Sequence, residues 1–231
     1  MKISEKLLFE YISCPIAYDY MKQGISKKSI SFNKMIYSVV KNLYLFTLDE
    51  TYRSINFLKQ KWDKIAMDNQ LTPKKTLEGW GGIINAYNYV INNNIKFTNV
   101  MESYELEIPG SKISIIGQLD PYIDKGTHIE IFISHFGKKQ PDIADINKKL
   151  KHTIDSYILN KRYKKDVIIK YHCFTTGCVY TSLRNSRDYN RMEKIISNIG
   201  KGLENNIIYP RETFMCGSCE YIDLCAIWGT K

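Results

Sequence analysis

The chain lacks any uncharged apolar run approaching the roughly eighteen residues that a membrane-spanning helix requires. Its start, Met1-Lys2-Ile3-Ser4-Glu5-Lys6, has none of the apolar stretch of a secretory leader. These two absences point to a cytoplasmic protein with no membrane role. No internal repeat and no long disordered linker occurs, which argues against a solenoid or a string of tethered modules. Acid is in short supply: 24 Asp and Glu stand against 33 Lys and Arg, for a net charge of +9 and an isoelectric point near 9.1. A basic balance suits a polyanionic partner. A lysine- and asparagine-rich vocabulary can equally reflect genome base composition. The 231 residues are 44% apolar with a mean hydropathy of -0.32, ordinary for one large domain with a buried core.

What the chain does hold is a dense group of cysteines near its end. Cys216, Cys219 and Cys225 are spaced x2 and x5 on a Gly-Ser turn leading into a short apolar helix, and Cys14 stands before Pro15 near the start. In a reducing compartment such thiols are expected to bind metal rather than pair as disulfides. Four thiolates suit an iron–sulfur cluster or a structural zinc, because each soft metal takes an electron-rich sulfur and a closed set of ligands. Cys173 and Cys178 remain; their x4 spacing spans strand ends, so they read as core residues with an option on redox chemistry.

Apolar periodicity predicts helices over 4–22, with Ser4 as cap and a break or restart at Pro15, then over 32–48, 51–70 and 76–92. Leu71-Thr72-Pro73 ends the third, and the Gly81-Gly82 pair weakens the fourth or lets it pack closely. Near residue 100 the period turns to alternation. Strands are expected at 103–108, 112–122, 128–136, 166–175 and 179–183, with helices at 142–160 and 188–204. The fold class expected is therefore α/β, a central mixed sheet of about five strands flanked by helices behind an N-terminal helical region.

These residues resemble the PD-(D/E)XK nuclease superfamily, in the RecB/AddB-like branch that includes CRISPR-adaptation exonucleases and carries a terminal [4Fe–4S] cluster. The resemblance rests on Tyr11, Cys14, Pro15 and Tyr18, on Gly117-Gln118-Leu119-Asp120 at a strand end, on the following strand ending in Gly137-Lys138-Lys139, on a helix with Tyr157, and on Cys216, Cys219 and Cys225. It implies a restriction-endonuclease-like core over 101–205, a helical region over 1–100, and an iron–sulfur region formed by 206–231 with Cys14, all in one domain. It further implies a [4Fe–4S] cluster on Cys14, Cys216, Cys219 and Cys225, zinc being the alternative.

The same resemblance exposes a departure. Family members hold Mg²⁺ or Mn²⁺ between carboxylates on adjacent strands, with a lysine beside the attacking water. Asp120 supplies the first carboxylate, but the acidic-x-Lys position reads Ile133-Ser134-His135. Tyr37 stands where a histidine is usual, and Thr153 stands where a glutamine precedes Tyr157. Asp120, His135, Lys138 and Tyr157 are then at most vestigial catalytic residues. Asp124, Glu130 or Asp142 could step in only through a relocated geometry, since strand alternation turns Glu130 away from Ile133 and His135. Lys138, Lys139, Lys148, Lys149 and Lys151 are the candidate phosphate contacts. A second basic run comprises Lys161, Arg162, Lys164 and Lys165. The expectation is a degenerate nuclease that binds DNA, single-stranded or at ends, or a protein partner in a replication or recombination complex. An active metal-dependent exonuclease and a scaffold without nucleic acid are the alternatives.

Overall fold

The computed structural model describes residues 1–25, 31–47, 54–137, 139–214, 216–225 and 227. In chain order its elements are β1 (Lys2–Ser4), α1 (Glu5–Ser13), α2 (Pro15–Lys22), α3 (Phe32–Phe46), α4 (Ile55–Asp68), α5 (Pro73–Asn92), β2 (Ser103–Glu107), β3 (Ser114–Gln118), β4 (Tyr122–Asp124), β5 (His128–His135), α6 (Ile143–Lys148), α7 (Leu150–Tyr163), β6 (Asp166–Cys173), β7 (Cys178–Leu183) and α8 (Ser186–Glu204). The chain divides into two compact units. One comprises Met1–Ser29, Ser103–Gln118 and Arg187–Lys231; the other comprises Ile30–Glu102 and Leu119–Ser186.

Mixed α/β architecture is as expected, but the single five-stranded sheet is not. The described strands form one sheet of three, in the order β1-β3-β2, and one of four, in the order β4-β5-β6-β7. Two local causes account for the difference. The run read as one strand over 112–122 stops at Gln118 and resumes at Tyr122, because Pro121 has no N–H to place in a ladder. The first residues, to which the sequence pattern assigns no strand, form β1 and pair in parallel with β3, Lys2 opposite Ser114.

In the unit holding both ends of the chain, β2 and β3 are antiparallel, with Ser103 opposite Gln118. Gly117 is required there: a Cβ on it would lie 2.5 Å from the Tyr104 ring, whose hydroxyl donates to Glu5 at 2.9 Å. The cap and break read from the sequence both form. The Ser4 hydroxyl accepts the Leu7 N–H, and the helix restarts with Pro15 in its first turn. Gly200 of α8 seats against Ser111 and Ile108, and Glu204 accepts from the Ser111 hydroxyl and the Lys112 N–H.

In the second unit β4 and β5 are antiparallel, β5 and β6 parallel, and β6 and β7 antiparallel. One face of this sheet is covered by α3, α4 and α5, where Val39, Val40, Leu43, Tyr44, Leu58, Trp62 and Ile83 enclose Phe132, Phe136 and Phe174. The opposite face meets α7, whose His152 ring sits edge-on to Tyr171 of β6. Helices on both faces are what a sheet with a central parallel pair requires. Two of the glycines of α5, Gly79 and Gly82, are there for packing. A Cβ on Gly79 would fall 2.1 Å from Trp62, and one on Gly82 would fall 3.2 Å from Phe136; Gly81 has nothing within 4 Å. The helix expected over 142–160 is broken at Lys149, whose extended backbone separates α6 from α7.

Candidate functional site

Asp120 lies on the irregular link between β3 and β4, held there because Pro121 interrupts the strand. Its N–H donates to Asp155 Oδ2 at 3.2 Å, and its Oδ2 stands 3.8 Å from His152 Nδ1. Asp155 and His152 come from α7. Asp155 is wholly enclosed, and both its oxygens accept from Lys151 Nζ, at 2.6 and 2.7 Å. His152 is 94% buried, and neither of its ring nitrogens has a hydrogen-bond partner. Burial pushes its pKa down to about 4, opposed by the Asp120 charge and reinforced by Lys149, Lys151 and Arg184. Tyr37 of α3 completes the group. Burial first, then the negative charges of Asp120 and Asp155, push its hydroxyl well above the usual tyrosine range. A carboxyl pair, a neutral imidazole and a protonated phenol thus converge on one spot.

The second strand brings no acid to it. On β5 Ile133 is buried. His135 approaches the Tyr171 hydroxyl with Nδ1 at 3.4 Å and the Lys139 carbonyl with Nε2 at 3.1 Å. Ser134 faces the other way, 2.5 Å from the Tyr44 hydroxyl. Glu130 shares that opposite face and lies among His128, Lys125 and Lys170. Asp124 accepts from Lys165 at 2.8 Å with both oxygens, and Asp142 caps α6 by accepting the Ala144 N–H. Each carboxylate that could step in is therefore engaged elsewhere.

Thr153 is buried, its hydroxyl taken by Arg184 Nε at 2.9 Å, and Lys161 lies over the Tyr157 ring at 4.7 Å. Of the candidate phosphate contacts, Lys139, Lys148 and Lys149 are exposed. Lys149 donates to the Tyr171 hydroxyl at 3.0 Å, and Lys151 is bound to Asp155. Lys138 lies outside the described residues.

The sequence reading did not include His152 or Asp155. A signal was there, since Lys151 and Asp155 stand one helical turn apart as an i,i+4 pair. It was masked because α7 buries a polar stripe, His152 to Ser156, that apolar periodicity cannot register.

The cysteines gather in the unit that holds both ends of the chain. Cys14 occupies the junction of α1 and α2, where its sulfur accepts the Arg211 N–H at 3.4 Å, while the Arg211 guanidinium donates to the Ile12 carbonyl. Cys216 opens a 3-10 turn, and its sulfur accepts the Thr213 N–H at 3.3 Å. Within the described residues, the segment leading to Cys225 is a second 3-10 turn, Ile222–Leu224, in place of the short helix expected. Tyr20 donates to the Leu224 carbonyl, closing α2 onto this segment.

All four cysteines are free and half-buried. The Cys219 thiol is pushed up by burial and then by the charges of Cys14, Cys216 and Cys225. Charge acts over a longer range than a metal–sulfur bond of about 2.3 Å. Among the described residues, no three histidine, cysteine, aspartate or glutamate side chains are arranged to hold a metal ion. The donor set has the chemistry a thiolate-ligated cluster needs, including N–H groups aimed at sulfur; the ligating distances are not in place.

No protein-family model matches the sequence, and no curated protein matches it. Among solved structures the chain is similar to a protein of Eubacterium rectale named provisionally as an exonuclease. The two superimpose with a TM-score of 0.59 over 95% of this chain and 87% of that one, at 12% identity. A second structure, of the protein SSO0001, overlaps with a TM-score of 0.42 at 14% identity over 98% of this chain and 97% of that one, too low to carry weight. The class defined is a mixed α/β protein that shares its fold with that provisionally named exonuclease. Among the described residues no helix is long and apolar enough to cross a membrane.

Proposed function

We propose that this protein binds DNA through a nuclease-like fold whose catalytic centre no longer hydrolyses phosphodiesters. The observation that carries the reading is the surroundings of Asp120. Metal-assisted hydrolysis needs carboxylates free to hold a hard cation and a cation beside the attacking water. Ile133 has no oxygen to offer, and His135 is turned to Tyr171 and the Lys139 carbonyl. Asp155, beside Asp120, is neutralised by Lys151. The net charge of +9 and the exposed Lys139 and Lys148 supply the attraction that phosphate binding requires.

In this reading Cys14, Cys216, Cys219 and Cys225 would hold a [4Fe–4S] cluster, with zinc as the alternative. Either would tie the two ends of the chain together, as a structural thiolate site does. Asp155 favours one competing reading, in which it serves as a relocated metal ligand and the protein is a Mg²⁺- or Mn²⁺-dependent exonuclease.

Incubation with linear single- and double-stranded DNA separates the two. The wild type is expected to leave DNA intact with either metal, as Asp120→Ala does, while binding it with a steep salt dependence. Lys139→Glu with Lys148→Glu should flatten that dependence by about 0.9 in the log–log slope for each phosphate the protein no longer neutralises. Degradation that disappears in Asp120→Ala would establish the exonuclease instead. Salt-independent retention, or none, would remove the DNA assignment.

A further inference from the structure

Cys173 and Cys178 belong neither to the Asp120 site nor to the terminal cysteine group, and the sheet places them together. They close the β6–β7 hairpin as directly opposed residues, Cα against Cα. Opposed residues of an antiparallel pair have Cα atoms about 4.5 or 5.5 Å apart, according to whether they exchange hydrogen bonds. Both spacings lie inside the range of about 4.4–6.8 Å that a disulfide spans. Their side chains project to one face. Burial first, and then the neighbouring cysteine charge, raise both the Cys173 thiol and the Tyr180 phenol.

In the parallel pairing of β5 with β6, His135 stands opposite Cys173, so an imidazole and two thiols form one row across three strands. Burial, and then the Cys178 charge, push the Cys173 thiol up; Lys149, over the Tyr171 ring at 4.9 Å, opposes them without reversing the rise. Cys173 is 98% buried and Cys178 half-buried. The Cys178 sulfur accepts from the Gln140 amide at 3.6 Å and donates to the Thr176 carbonyl at 3.9 Å.

We propose that Cys173 and Cys178 are a reversible redox pair that takes oxidising equivalents from a small-molecule disulfide such as oxidised glutathione. The half-buried Cys178 thiolate attacks one sulfur of that disulfide, which releases one glutathione thiolate and leaves a mixed disulfide. Cys173, shielded from bulk reagent, then attacks the Cys178 sulfur as its thiolate and releases the second glutathione. Two protein thiols are oxidised, one disulfide is reduced, and the two protons pass to the departing thiolates. Closure takes the Cys178 sulfur from Gln140. It also locks the turn whose Thr175 hydroxyl donates to the Gly137 carbonyl.

Trypsin offers a direct test, because both cysteines lie on the single fragment Tyr171–Arg184 and the other four lie elsewhere. The full chain is exposed to oxidised glutathione, alkylated, digested and weighed by mass spectrometry. The expected fragment carries no alkyl group, is lighter by two hydrogens, and becomes doubly alkylated after dithiothreitol. Cys173→Ser, which lacks the resolving thiol, should instead retain one glutathione on Cys178. A doubly alkylated fragment after oxidation would overturn the proposal. So would a wild type that stops at the glutathione adduct.

Discussion

Both carboxylate oxygens of Asp155, enclosed without solvent contact, are held by the Lys151 ammonium one helical turn earlier, at 2.6 and 2.7 Å. An ion pair removed from water is costly to break from one side, because the remaining charge has no solvent to turn to. Lys151→Met is therefore expected to cost about 3–5 kcal/mol, read as a lowered urea midpoint with an unchanged slope. Lys151→Met with Asp155→Leu should recover much of that loss. Equal instability in single and double variants would mean that the pair is not a closed unit.

Acid should weaken this protein well before its carboxylates titrate. Burial holds His152 and His172 at about 4, below the ordinary 6.5. Both remain neutral in the folded chain while the unfolded chain takes up protons below pH 6.5. Their contribution is fully present above pH 6.5 and is lost as pH falls from 6.5 to 4, at up to about 1.4 kcal/mol per pH unit for each. His172 is stacked on Phe132 at 3.9 Å, so His172→Phe fits its surroundings and should halve the slope of stability against pH in that window. Urea unfolding at a series of pH values measures it, and a flat profile for the wild type would refute both shifts.

Two glycines in one helix should respond with opposite sign. Gly79→Ala drives a methyl into the Trp62 indole, whose Nε1 is fixed by the Thr76 carbonyl at 2.9 Å, and is expected to destabilise by about 1–3 kcal/mol. Gly81→Ala meets open space and gains helix propensity, so it should stabilise by up to about 1 kcal/mol. Thermal melting of the two variants beside the wild type is sufficient. The same sign for both would contradict the packing of α4 on α5.

If the four cysteines hold a cluster, protein prepared without oxygen should be brown and contain about four irons per chain. Cys219→Ser should lose colour and solubility together, because metal binding and closure of the chain's two ends are one free energy. One zinc per colourless chain would retain the ligands and change the metal. Metal-free, fully soluble protein would remove the site.

What the sequence by itself determined lies mainly at the local level. Alternation and apolar period marked the helices and most strands. Ser4 and Pro15 set the first cap and restart, and the x2 and x5 spacing marked the cysteine group. Covalent geometry and nearest-neighbour chemistry suffice for these, since a proline's missing N–H or a serine cap acts within one turn. The face assignment of Glu130 against Ile133 and His135 was equally open to inspection, because strand periodicity is two.

Tertiary structure alone decided which segments share a sheet and which polar groups share a cavity. No local signal tells Lys2–Ser4 to pair with Ser114–Ile116, because their partners lie more than a hundred residues away. Nor does any reveal that α7 turns His152 and Asp155 inward beneath Asp120 and Tyr37. A buried polar residue looks in sequence like a solvated one. The difference is made by the neutralising partner, here the Lys151 ammonium, and only packing brings that partner out of water along with it.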